Sequence, residues 1–107
     1  MAESVNALCI YQVREGAESV FEGLLRKHWP TLRKLELVTG RRSEMYRGRN
    51  EDNSSFFVEI LEWQDQSCVD SAHELPEVAA IWEKMGPLCI ARNGKPPMEF
   101  PLIERIS

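Results

Sequence analysis

The run from Ser55 to Trp63 (SFFVEILEW) constrains the fold more than any other part of the chain. Its β-branched and aromatic content makes it a strand. Side chains alternate along a strand, so Phe57, Glu59, Leu61 and Trp63 share one face and Phe56, Val58 and Ile60 share the other. Both faces are largely apolar, and both need cover. The run from Val5 to Val13 (VNALCIYQV) repeats the situation, with Ala7, Cys9 and Tyr11 on one face and Leu8 and Ile10 on the other. A sheet built from such strands needs helices on one side and a second apolar surface on the other.

The intervening segments supply the helices. Over residues 17–29 the period changes: Val20, Phe21, Leu24, Leu25 and His28 recur at helical spacing, with Glu18, Glu22, Arg26 and Lys27 turned away. Pro30 is expected to end that helix and open a short second turn that carries Leu32 and Leu35 inward. After Gly40, Ser43–Gly48 reads as a second strand, and Asn50-Glu51-Asp52-Asn53 as the turn into the third. Asp65 is placed to cap a helix over Gln66–Glu74. Pro76 opens another, with Val78, Ile81, Trp82 and Met85 on one stripe and Gly86-Pro87 as its stop. Met98–Ile106 forms the last strand, where Pro101 suits an edge.

The resulting order, β-α-β-β-α-β, is the ferredoxin-like α+β arrangement: a four-stranded antiparallel sheet whose right-handed crossovers put both helical segments on one face. The opposite face is left apolar over on the order of several hundred Å2, more than a soluble monomer exposes. A homodimer with the two sheets packed face to face removes it. The 107 residues form one domain, 1–107.

Charge narrows the partners. A net charge of −4 disfavours nucleic acid and anionic membrane surfaces, and no apolar run approaches the ~20 residues of a membrane span. The first half of the chain is basic and the second acidic, which gives complementary surfaces or, alternatively, a field that steers a ligand. Cys9, Cys68 and Cys89 match no metal-binding spacing, and no signal peptide precedes them, so a cytoplasmic location with reduced thiols is expected.

Several patterns together resemble the dimeric α+β barrel proteins, in particular the antibiotic-biosynthesis-monooxygenase-like superfamily. They are Tyr11-Gln12-Val13-Arg14-Glu15-Gly16 closing the first strand, Glu18 with Phe21-Glu22, Phe57 to Trp63 leading into Asp65, and Ala72-His73-Glu74 before Pro76-Glu77-Val78. The resemblance covers nearly the whole chain and implies a small cofactor-independent monooxygenase acting on an aromatic or polyketide-like molecule, with no cofactor and no metal. The alternative is a non-catalytic small-molecule-binding or dimerisation module of the same fold. The quinone-forming branch places an Asn and a Trp four apart on strand three and a Tyr on the next helix. Anchored on Trp63, the Trp is kept, whereas Glu59 and Val69 stand at the other two positions. The haem-degrading branch's Asn, Trp and axial His fall at Cys9, Ala72 and Trp82, and none matches.

Glu59 is the leading candidate for chemistry. It sits mid-strand between Phe57, Leu61 and Trp63 on the face assigned to a dimer cavity. A carboxylate taken out of water gains affinity for a proton, which suits a general base; the alternative is an ion pair with an arginine such as Arg47. Trp63 is a candidate stacking surface for a flat ligand or a plug at the barrel end. Tyr11 is a candidate hydrogen-bond donor to substrate or to a structural partner. His73, near a helix C-terminus, is a candidate proton shuttle at the cavity mouth or a cap. Phe57, Leu61, Cys9 and Ala7 complete the expected substrate-binding wall, with Cys9 read as an inert small apolar group. His28 is read as a satisfied histidine at the edge of the core. A void of ~300 Å3 or more with Glu59 pointing into it distinguishes a ligand site from a filled barrel.

Overall fold

The computed structural model describes residues 3–107. One antiparallel sheet carries three helices on a single face. In chain order the elements are β1 (Val5–Gln12), α1 (Glu18–Lys34), β2 (Glu44–Arg49), β3 (Ser55–Trp63), α2 (Gln66–Ala72), α3 (Pro76–Met85), β4 (Met98–Glu99) and β5 (Leu102–Ile103). The sheet order is β2-β3-β1-β4, with β5 continuing along β1 beyond β4. This is the ferredoxin-like order, with its fourth strand split in two. Among the described residues no helix is long and apolar enough to cross a membrane.

The local chemistry explains most boundaries. Ala17 offers α1 no capping side chain, and Glu18 instead reaches back to accept the Gly16 backbone N–H at 2.8 Å. Asp65 caps α2 as its sequence position predicts, accepting the Cys68 N–H at 3.0 Å. Pro76 stands at the start of α3, where its missing N–H costs nothing. On β2, Gly48 lies under the Phe56 ring, so close that any side chain there would collide with it.

Two expected boundaries are corrected. Pro30 does not end the first helix: α1 runs through it to Lys34. The stripe Phe21, Leu25, His28, Leu32 stays in phase across the proline, and all four residues are buried. Continued burial of Leu32 offsets one lost backbone hydrogen bond, on a turn where Arg26 and Pro30 face solvent. The last strand, expected to run unbroken from Met98 to Ile106, is interrupted at Phe100-Pro101. Proline cannot donate to the ladder; its carbonyl still accepts the Leu8 N–H at 2.9 Å, and pairing resumes at Leu102.

A third correction concerns the faces of β3. Phe57, Glu59, Leu61 and Trp63 do not face a dimer cavity. They point at the helices of their own subunit and are buried there. The register sets them beside Tyr11, Cys9, Ala7 and Val5 of β1. The α1 stripe lies on that surface, with Phe21 5.0 Å from Tyr11 and 5.3 Å from Phe57 between ring centroids. Phe56, Val58, Ile60, Leu8 and Ile10 form the opposite face and are only half-buried.

Candidate active site

A line of polar side chains runs through the otherwise apolar layer between sheet and helices. The Tyr11 hydroxyl donates to Glu59 Oε1 at 3.0 Å. His28 Nδ1 lies 2.8 Å from the same oxygen. On the other side of the imidazole, the Trp82 indole N–H donates to His28 Nε2 at 3.0 Å. Four elements thus each contribute one member: β1, β3, α1 and α3.

The donors fix the protonation pattern. An indole N–H can only donate, so His28 Nε2 is the acceptor and carries no proton. Nδ1 then holds the ring proton and donates it to Glu59. His28 and Glu59 are 2% and 0% exposed, so the pair is shielded from water. Glu59 Oε2 is buried without a partner. Burial first, and then the Glu59 charge, hold the Tyr11 hydroxyl well above its ordinary range, which keeps it a donor. The same two causes, in the same order, push the Cys9 thiol up to about 12. Cys9 is therefore an unreactive thiol, as its apolar setting in the sequence implies.

Beside this line lies a cavity of about 280 Å3. Ala7, Cys9, Leu61 and Trp63 of the sheet form its floor, and His28 and Trp82 close it from the helices. Phe100 and Leu102, 50% and 49% exposed, and the exposed His73 mark its mouth. Clefts elsewhere are larger, at about 480 and 420 Å3, but differ in kind. The first is a groove beside the exposed Arg26, Lys27 and Lys34 of α1; the second is walled by Glu15, Glu18, Asp52, Arg47, Arg49 and Arg92. Unlike these two clefts, the cavity by His28 joins apolar walls to a buried titratable group, the combination expected of a small-molecule site. Among the described residues no group of three or more His, Cys, Asp or Glu could hold a metal ion.

The structure brings Ala7, Cys9, Leu61, Trp63 and His73 to one cavity, which lies between the sheet and its own helices rather than on a face that meets a second subunit. The other three expected site residues stand behind it. Glu59 does not line the cavity and reaches it only through His28. Its partners are His28 and Tyr11 rather than Arg47, which lies over the Phe57 ring at 5.6 Å. Tyr11 is the structural donor to Glu59. Phe57 packs against Phe21, toward the other end of β3. His73 follows the last residue of α2 as its C-cap and packs against Trp82 at 5.0 Å. The residues that sequence reasoning placed in the core are His28 and Trp82. The available signal was a titratable group on an otherwise apolar stripe.

Comparison with solved structures identifies the fold. Over 99% of this chain and 96% of the other, it superimposes on SnoaB, a cofactor-independent oxygenase from Streptomyces nogalater, with a TM-score of 0.75 at 20% identity. A putative antibiotic biosynthesis monooxygenase from Bordetella bronchiseptica gives a TM-score of 0.74 at 12% identity, over 98% of this chain and 99% of that one. One from Nitrosomonas europaea gives 0.72 at 8%, over 99% and 93%. The chain has the fold of the antibiotic-biosynthesis-monooxygenase-like proteins. No protein-family model matches it, and no curated protein matches it in sequence.

Proposed function

We propose that this chain is a cofactor-independent monooxygenase that takes a flat, largely apolar molecule with an acidic O–H or C–H into the cavity and removes that proton with His28. The observation that carries the reading is the buried contact between His28 Nδ1 and Glu59 Oε1, 2.8 Å, behind an imidazole that forms part of an apolar cavity wall. When Nε2 accepts a proton, the imidazolium charge forms against the Glu59 carboxylate, which stabilises it. The electron pair left on the ligand makes an electron-rich anion able to reduce O2. For a phenol oxidised to a quinone, one oxygen atom of O2 becomes the new carbonyl and the other leaves as water with the two hydrogens lost. Trp63 offers a stacking surface for the ring. The fold of SnoaB supports this reading, as does the apolar lining.

The second reading is a non-catalytic small-molecule-binding module. It is favoured by the Trp82 N–H, which occupies the basic lone pair of His28. Oxygen consumption with a panel of hydroxynaphthalenes and hydroxyanthracenes separates the two. The oxygenase predicts uptake above the uncatalysed rate that falls at least ~100-fold in His28→Gln and in Glu59→Gln. Binding without any accelerated uptake leaves the module. In either case the outer sheet face supports a homodimer in which Phe56, Val58 and Ile60 meet their counterparts.

A further inference from the structure

We propose that the Trp82–His28 hydrogen bond selects the ligand: the cavity favours hydroxylated aromatic molecules, because a hydroxyl can exchange places with the indole N–H on His28 without leaving either group unpaired. This rests on the reading of the cavity as a proton-abstracting site and narrows it to one functional group.

His28 Nε2 is an acceptor on a side chain only 2% exposed, and among the described residues its partner is Trp82, at 3.0 Å. A buried acceptor left without a donor is costly. A ligand that reaches His28 must therefore replace the bond it breaks. A hydrocarbon brings no donor. An ether, a ketone or a carboxylate brings only acceptors; it could take the indole N–H but would strand Nε2. A hydroxyl is donor and acceptor on one atom. Its O–H can donate to Nε2 while its oxygen accepts the displaced indole N–H, so neither Nε2 nor the indole N–H is left unpaired.

The exchange also prepares the proton transfer. The O–H bond breaks and the Nε2–H bond forms, with the electron pair staying on the ligand oxygen. That oxygen is where the Trp82 N–H now donates, stabilising the charge that develops there. The indole is half-buried and packs at 5.0 Å against His73, which is itself exposed at the mouth.

The test is a titration of the 15N-labelled chain, following the Trp82 indole N–H signal, with 2-naphthol, 2-methoxynaphthalene and 2-naphthoate as probes. The expected result is that 2-naphthol binds about tenfold or more tightly than the ether or the carboxylate and moves the indole signal. Trp82→Phe, which keeps a ring and removes the N–H, leaves Nε2 unpaired before binding, so the ether no longer has a bond to break and binds more tightly than it does to the unsubstituted chain. Equal affinity for all three probes, or an indole signal that 2-naphthol does not move, overturns the proposal while leaving the cavity a ligand site; the signal in the unsubstituted chain decides this even if the variant does not fold. Failure of every probe to bind overturns the proposal together with the functional reading. Selective binding of 2-naphthol without oxygen consumption upholds the proposal and overturns only the oxidation.

Discussion

His28 meets two groups directly and a third through one of them. Trp82 fixes the tautomer, Glu59 accepts from Nδ1, and Tyr11 shares the same Glu59 oxygen. A long-range 1H–15N spectrum at neutral pH should accordingly show His28 with Nδ1 protonated and Nε2 bare. A protonated Nε2 would remove the hydrogen bond from Trp82. Cys9 provides a second check on the same buried layer. Its thiol is raised from 9.0 to about 12, first by burial and then by the Glu59 charge. A raised value means that the folded chain holds this proton after the unfolded chain has released it, so stability falls as pH rises from about 9 toward 12. Each pH unit in that window costs about 1.4 kcal/mol for this one group. Urea unfolding at pH 9 and pH 10.5 should show Cys9→Ala losing about 2 kcal/mol less over that interval than the unsubstituted chain; equal losses would mean that the thiol is not so enclosed. That Glu59 is withdrawn from water was legible from its place on an apolar strand face, though the phase did not tell that the face meets the helices, and Cys9 was legible from having nothing basic beside it. His28 was not, because helical periodicity reports that a residue is buried, not what it touches on a strand 31 positions away. Trp82 was hidden for the same reason: an apolar stripe counts the indole as grease and is blind to its N–H.

At the scale of elements, α1 holds two residues that local rules disfavour, and neither is rescued by packing. Gly23 is exposed, and a methyl group added there would meet nothing within 4 Å. Gly23→Ala should stabilise the chain by about 1 kcal/mol through lower backbone entropy in the unfolded state. Pro30 is also exposed and sits inside the helix. Pro30→Ala restores an N–H for the Arg26 carbonyl and should add about 2 kcal/mol. Both should raise the urea midpoint without changing its slope, and a gain from Gly23→Ala with none from Pro30→Ala would mean that the helix frays beyond His28. The proline also shows where sequence reading stopped short. A proline is a strong local stop signal, whereas the stripe Phe21, Leu25, His28, Leu32 is a tertiary one, and burial outweighed the local rule. The strands were easier: Ser55–Trp63 was read to the residue because its alternation and flanking turns agree. The last strand was over-extended because Pro101 permits an edge position yet still interrupts the ladder, and a hydrophobic run does not reveal which of its residues pair.

For the whole molecule, the question is what covers the outer face of the sheet. The helices take the face of Phe57, Leu61 and Trp63, leaving Phe56, Val58, Ile60, Leu8 and Ile10 half-buried, with Tyr46 and Ile103 at 56% and 39% exposure on the flanking strands. The residues opposite one another across β1, β2 and β3 make this surface continuous: Val58 stands beside both Ile10 and Tyr46, and Ile60 beside Leu8. A continuous apolar surface on a chain otherwise rich in charge is the signature of an interface, and a sheet face related by a two-fold axis is complementary to itself. The chain should therefore sediment as a dimer at micromolar concentration. Val58→Arg tests the face at its centre. It places a cation from each subunit into the same buried region, where like charges repel and neither is paired, and should weaken association at least ~100-fold, about 3 kcal/mol. Because Val58 points away from the cavity, the substituted chain should still bind 2-naphthol, with an affinity that reports whether one subunit suffices for the site. An unsubstituted chain that sediments as a monomer at 100 μM would sink the sheet-to-sheet dimer. A Val58→Arg chain that remains dimeric would move the interface to another surface, leaving the apolar face of β1 and β3 without an explanation in self-association.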